Sequence, residues 1–286
     1  MNGETMMNDL SENSLNFVDE MKEMVEKDYL AFHEYQMTVL QTLREFHTVC
    51  VKNGITYYLA YGTLLGLIRD GGQIPWDYDV DVWVPLSDAE KLMNAIDNEL
   101  ADRFHYTTRF RDKKCRTYTL KLAPKGYDCE VFHVDVFWLT GATNNEKLRS
   151  KTNVLGMKYH KLLMRKYTDV KYLKVQGKIQ KIAYFVKRLP AKACPASLIE
   201  KRWKRLINKD LGSTEWVTDG YWVFPKEYYS KPILQKDRDG FEYMIPIGFK
   251  EFLTQRYGDY MKVPSIESRM AEFRKSLSRL NRLAKQ

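Results

Sequence analysis

Apolar positions recur with helical spacing early in the chain. Leu30, Val39, Leu40, Leu43, Phe46, Val49 and Cys50 approximate one stripe, predicting helix over residues 17–53, and Gly54 stands where a helix-stopping glycine belongs. The period then shortens. Residues 57–61 read as a short buried strand, and residues 64–69 as a short helix between Gly62-Thr63 and Gly71-Gly72. Residues 79–84 alternate strictly up to Pro85, the pattern of a strand. Ser87 and Glu90 have capping-box spacing, which predicts a helix over residues 88–102. Residues 104–122 contain two Tyr-, Thr- and Phe-rich strands, and residues 129–139 another, with Val134, Val136 and Phe137 around Asp135. Helix is expected from residue 144 to about 167, then in a basic stretch broken at Pro190 and Pro195. Residues 216–247 are aromatic and turn-rich with short strands, and residues 249–257 and 265–283 close the chain as helices. There is no internal repeat and no low-complexity linker. The expected partition is a polar, flexible tail (1–16), an α/β core domain (17–145) and a helical, basic region (146–286) packing on that core.

Composition narrows the picture. A chain of 286 residues that is 44% hydrophobic and 13% aromatic has enough apolar surface for a sizeable core. Mean hydropathy is −0.50, and no run approaches the roughly 20 apolar residues of a membrane span. Residues 1–16 lack the basic and apolar regions of a secretion signal, so the expected compartment is the cytoplasm. The four cysteines are scattered, without a C-x-x-C pair, which fits free thiols; the five histidines show no H-E-x-x-H spacing. Net charge is +9, and residues 171–209 hold twelve Lys or Arg against one acid, Glu200. That excess suits an anionic partner.

Candidate chemistry lies in residues 62–81. On an extended strand Asp79 and Asp81 project to one side, about 6.6 Å apart at Cα, while Val80 and Val82 point into the core. Asp135, alone between Val134 and Val136, joins them if its strand is a neighbour. His133 lies on the same face as Asp135, either as its partner or as a satisfied strand histidine. Three carboxylates so close repel, by about 4 kcal/mol per 4 Å contact at an effective dielectric of 20, unless protons or a cation intervene. Oxygen-only ligands favour Mg²⁺ or Mn²⁺ over zinc. Gly62-Thr63 at a helix start offers backbone N–H groups to a phosphate, and Arg69, two turns along, is placed to reach the same anion.

The string G-T-L-L-G-L-I-R-D-G-G-Q-I-P-W-D-Y-D-V-D-V-W-V resembles the LicD family of phosphocholine transferases, which includes fukutin-related proteins. Supporting segments are Gly54-Ile55-Thr56-Tyr57-Tyr58-Leu59 upstream and, downstream, Ile245-Pro246, Phe252-Leu253, the segment from Tyr257 to Met261, and Pro264. Family members often carry an unbroken Asp-Asp-Asp-Ile-Asp; here Tyr78 interrupts it but points away from the acids. The resemblance implies a nucleotidyltransferase-like mixed sheet flanked by helices. It also implies transfer of a phospho-alcohol, such as phosphocholine, from a CDP-alcohol to a hydroxyl of a cell-surface glycan (lipopolysaccharide, teichoic acid or capsule) or its lipid-linked precursor, with release of CMP. In that scheme Asp79 and Asp81 hold Mg²⁺ or Mn²⁺, and Asp135 is a third ligand or the base. Gly62, Thr63 and Arg69 bind phosphate. Asp77 is a metal-shell residue or a turn-former, and Trp76 lines the nucleotide pocket or packs in the core. Gly258 and Asp259 read better as a helix end and turn than as acceptor contacts. The alternative function is addition of a nucleotide to RNA or to a small-molecule hydroxyl; under the first reading no nucleic acid is expected. The apolar spacing of Ile179, Ile182, Phe185, Val186 and Leu189, and of Leu198, Ile199, Trp203 and Leu206, marks two basic amphipathic helices. They lie either on an anionic membrane or against the core.

Overall fold

A computed structural model describes residues 26–168, 177–207 and 214–283. The tail over residues 1–16, the start of the first expected helix, and residues 169–176 and 208–213 of and beside the basic stretch lie outside the described residues. The architecture is a curled mixed sheet flanked by helices, the expected class.

Helix α1 (Glu26–Lys52) buries Phe32, Tyr35, Val39, Leu43, Phe46, Val49 and Cys50, the stripe read from the sequence extended by one aromatic turn. Strand β1 (Tyr58–Leu59) leads directly into α2 (Tyr61–Asp70), which begins three residues earlier than expected. Strand β2 (Val80–Pro85) runs through a 3-10 turn (Leu86–Asp88) into α3 (Ala89–Glu99). The expected capping box is not made. The turn after Pro85 consumes Ser87, and Asp88 takes the cap position without a side-chain bond. Strands β3 (Phe104–Thr107), β4 (Leu120–Pro124) and β5 (Val134–Gly141) follow. Next come helices α4 (Glu146–Arg149), α5 (Thr152–Tyr167), α6 (Lys178–Ala193) and α7 (Ala196–Ile207). Strands β6 (Trp216–Thr218), β7 (Val223–Pro225), β8 (Pro232–Lys236) and β9 (Glu242–Pro246) precede α8 (Phe249–Tyr257) and α9 (Ile266–Leu283).

The main sheet has the order β1-β2-β5-β4-β3, and β6 and β7 continue from the far end of β5. Strands β2 and β5 are parallel; the other described pairings are antiparallel. Register pairs Val80 with Val134, Asp81 with Asp135, and Val82 with Val136. Because side chains alternate, this register sorts the two faces. The valine face packs on α1 and α3, with Leu43, Phe46, Leu92 and Ile96 in one core. The opposite face carries Asp81 and Asp135, and one step further along, Trp83 and Phe137. Trp83 is fully buried, with ring centres of Tyr61, Phe252 and Tyr229 at 4.8, 5.0 and 5.4 Å. Truncating it to alanine is expected to cost about 3–5 kcal/mol. The same core takes Phe252 and Phe273 from the C-terminal helices, so the last part of the chain closes over the sheet. A smaller cluster gathers Tyr118 and Leu163 with Ile199, Trp203 and Leu206 of α7.

Candidate active site

The acid-bearing face of β2 and β5 opens into a cleft of about 500 Å³. Its foundation is one lateral row across three strands. Asp81 on β2 is level with Asp135 on β5, and Asp135 is level with Lys121 on β4. Neighbouring strands lie about 4.8 Å apart, so the register alone brings the three side chains together. Lys121 Nζ donates to Asp135 Oδ2 at 3.1 Å and contacts His133 Nε2 at 2.7 Å. His133 Nε2 is itself 3.5 Å from the same carboxylate oxygen. The other oxygen, Asp135 Oδ1, is buried and has no hydrogen-bond partner.

The first turn of α2 holds this row from the side. Asp81 N–H donates to Thr63 Oγ1 at 2.8 Å, and Ala60 N–H donates to the Asp81 carbonyl at 2.9 Å. Thr63 therefore fixes the strand that carries Asp81 and does not line the cleft. Gly62 does line it, and its lack of a side chain has a steric reason: a Cβ there would stand 2.8 Å from Asp77 Oδ2. Asp77 also takes the Tyr78 N–H on Oδ1 at 2.9 Å, so it shapes the turn and faces the cleft at once. Its carboxyl is in hydrogen-bond contact with that of Asp79.

Charge is badly balanced along this edge. Burial, and then the charge of Asp79, push the carboxyls of Asp77 and Asp81 well above the usual aspartate range; Asp135 adds to the effect at Asp81. Burial alone would raise Asp135 too. Lys121 and His133 overcome it and hold that carboxyl well below the usual range. Burial and Lys121 together lower His133, which keeps its ring neutral near pH 7.

Among the described residues no three His, Cys, Asp or Glu side chains stand as an assembled metal site. The donor chemistry nevertheless fits a hard divalent cation. Every ligand offered by Asp79, Asp81 and Asp135 is a carboxylate oxygen, one of them is buried and unpaired, and the cluster is short of positive charge.

Besides Thr63, two further residues expected to line the site are elsewhere. Arg69 lies at the far end of α2, about 12 Å along its axis from Tyr61 at 1.5 Å per residue. It is captured there by buried Asp70, at 2.7 Å, and does not reach the cleft. Trp76 is buried between the guanidinium groups of Arg69 and Arg269, each 5.5 Å from its ring, and packs rather than lining the pocket.

Other cleft residues escaped the sequence reading. Lys121 carried the same signal as Asp135, a lone charge in an apolar strand, but only the register reveals its partner. Arg116 faces the cleft and pairs with Glu130. Arg256 lies over Trp222 at 4.7 Å and Tyr257 at 5.1 Å. Tyr221 contacts His160 Nδ1 at 2.9 Å, and burial lowers that histidine to about 4. This wall is anchored by Asp219. Its Oδ1 accepts the N–H groups of Tyr221 and Trp222, both at 2.9 Å, and its Oδ2 accepts Trp83 Nε1 at 3.1 Å and the Tyr61 hydroxyl. Tyr61 opens α2 with φ +45°, a left-handed conformation that an aromatic residue adopts only when its surroundings enforce it. Gly258 ends α8, as expected, with its N–H on the Thr254 carbonyl.

Comparison with known proteins agrees with this geometry. Residues 54–154 match the LicD/FKTN/FKRP nucleotidyltransferase domain. The lipopolysaccharide cholinephosphotransferase LicD of Haemophilus influenzae is 28% identical over 272 residues, 83% of this chain and 94% of that protein. Human ribitol 5-phosphate transferase FKRP is 40% identical over 65 residues, 22% of this chain and 13% of its own length. A yeast protein, mannosyltransferase regulator 4 of Saccharomyces cerevisiae, is 33% identical over 67 residues, 23% of this chain and 6% of its own. A match to the LicD-type nucleotidyltransferase domain over the strands that carry the acids, and a similarity to LicD that runs through most of the chain, are what this protein shares with known proteins.

Proposed function

We propose that the protein transfers a phospho-alcohol from a CDP-alcohol donor to a hydroxyl of a cell-surface glycan or its lipid-linked precursor, releasing CMP, with Mg²⁺ or Mn²⁺ at the acid cluster. The observation that carries the proposal is the Asp81–Asp135–Lys121 row at the base of an open cleft that Asp77 also lines, with Asp79 in contact with Asp77. Transferases named for cholinephosphate and ribitol phosphate among the relatives support the phospho-alcohol.

Each residue has a stated part in this reading. Asp79, Asp81 and Asp135 hold the cation, which when bound neutralises the donor diphosphate and the departing CMP. Thr63 keeps the Asp81 backbone in place. The open N–H groups at the start of α2, at Gly62, take a phosphate oxygen. Lys121 and Arg256 supply fixed positive charge on either side of the diphosphate, and Tyr221, Trp222 and Tyr257 give flat surfaces for the base or the alcohol. Lys121 and His133 occupy one Asp135 oxygen and leave the other for a ligand, which supports binding over proton transfer at that residue.

The test is CMP release from CDP-choline, CDP-ribitol and CDP-glycerol with a glycan acceptor and Mg²⁺ or Mn²⁺, run beside NTPs with RNA. The true donor is also expected to raise the melting temperature by mass action. Turnover of NTPs onto RNA, with every CDP-alcohol inert, would overturn the proposal.

A further inference from the structure

We infer that α6 is a membrane-docking helix, and that its partner is the surface of an anionic bilayer. Ile179, Ile182, Phe185, Val186 and Leu189 are 83, 64, 64, 57 and 53% exposed. At 100° per residue they fall within an arc of about 120°, the breadth of a helix face that normally meets a core. The opposite side of α6 is already used. Ala191 and Arg188 are buried there, and Arg188 donates to the carbonyls of Arg165 and Thr168 at 2.7 and 2.8 Å. The apolar stripe thus has no place within the described fold.

Charge selects the occupant. Exposed Lys187 and Lys192 flank the stripe on its two sides, and the surrounding residues 171–209 contain one acid among twelve basic residues. That acid, Glu200, is consumed internally, 2.7 Å from the buried guanidinium of Arg109. An apolar face rimmed by exposed cations is repelled by a second copy of itself and attracted to anionic headgroups. The neighbouring helix makes the contrast. Helix α7 has the same kind of sequence, but Ile199, Trp203 and Leu206 are buried in the smaller cluster. Docking is therefore assigned to α6 and not to the whole basic stretch.

The location has a consequence. Helix α6 packs on α5, and α5 presents Met157, His160 and Met164 to the cleft. A bilayer held at α6 lies one helix away from the reacting groups. If the proposed transfer is correct, the acceptor is a membrane-borne glycan carrier delivered beside the cleft; the docking itself stands without that reading.

The test is flotation of the full chain with vesicles of phosphatidylglycerol and phosphatidylcholine, against phosphatidylcholine alone, at low and high salt. Binding is expected to the anionic vesicles and to weaken with salt. The triple substitution Ile182→Gln, Phe185→Gln, Leu189→Gln is expected to lower the partition constant at least about 100-fold, with an unchanged melting temperature. Lys187→Glu with Lys192→Glu is expected to lower it about tenfold. Absence of flotation by the unmodified protein, or equal flotation by the triple variant, would sink the inference. So would a concentration-dependent dimer in sedimentation that the triple variant abolishes. CMP release with a short soluble acceptor is measured in parallel, so that loss of docking and failure of the transfer reading give different results.

Discussion

The two most charged regions of the molecule are built in opposite ways. The acids of β2 and β5 are few, half-buried and crowded, held level by sheet register whatever their mutual repulsion. The cations of α6 and α7 are many, mostly exposed and spread along helix surfaces, where water and salt screen them. Crowded buried charge is costly and specific, and it demands a counter-charge at one point. Dispersed exposed charge is cheap and general, and it attracts a surface. Glu200 connects the two: the only acid among the basic helices reaches back to Arg109, beside the sheet.

Removing a member of the acid row tests the costly side hardest. Asp81→Asn and Asp135→Asn are each expected to reduce CMP release by about 10²–10³-fold, the loss typical when a fixed transition-state charge is removed. Melting curves show whether the fold survives. Glu200→Gln comes next. It leaves Arg109, only 1% exposed, without its carboxylate, and is expected to cost about 3 kcal/mol in urea denaturation. A cost near zero would mean that the link between the two regions is ornamental.

The pH dependence of stability in the presence of a chelator is a smaller effect with a definite sign. Asp77 and Asp81 hold protons more tightly in the folded chain than in the unfolded one, where aspartate titrates near pH 3.9. The folded state therefore carries protons that the unfolded state has released, and stability falls as pH rises from about 4 until both carboxyls ionise. Asp135 has the opposite sign: its contribution is complete above about pH 4 and is lost as pH falls below it. Urea midpoints across pH 3–8 separate the two arms, and Asp81→Asn is expected to flatten the upper one. Smallest of all, the α6 triple substitution is expected to change stability by no more than about 0.5 kcal/mol, because those side chains touch little within the fold.

Legibility in the sequence followed the same divide. Gly62, Asp77 and Asp81 line the cleft as a local reading places them, because a short helix and strand alternation fix their neighbourhood within twenty residues; Asp79 precedes the strand and touches Asp77. Asp135 could be read because a lone carboxylate between valines is conspicuous. Lys121, between Leu120 and Leu122, was equally conspicuous, yet only the β4–β5 pairing shows that it faces Asp135. Arg69 misled because helical spacing gives distance but not competition, and Asp70 next door captures it. Tyr221, Trp222 and Arg256 reach the cleft through non-local contacts, and Asp219, which anchors their turn, bonds to Tyr61 and Trp83 more than a hundred residues back; such pairings leave no local trace. The patterns of α6 and α7 are alike; only the presence of Tyr118 and Leu163 beside α7 decides which stripe is buried.

Helix α5 meets the Asp219–Trp222 turn in an unusual way. A Cβ at Gly156 would lie 1.7 Å from the Gly220 carbonyl oxygen, so the two backbones touch with no side chain between them. Side chains are the compressible part of a protein interface; they hop rotamers and absorb small displacements. At the Gly156–Gly220 contact there are none; beside it the Tyr221–His160 pair bridges the two elements. A push on α5 is handed directly to the turn that bears Trp222, as between two rigid links sharing a bearing. The helix that supports α6 and the wall of the cleft are thus one mechanical piece.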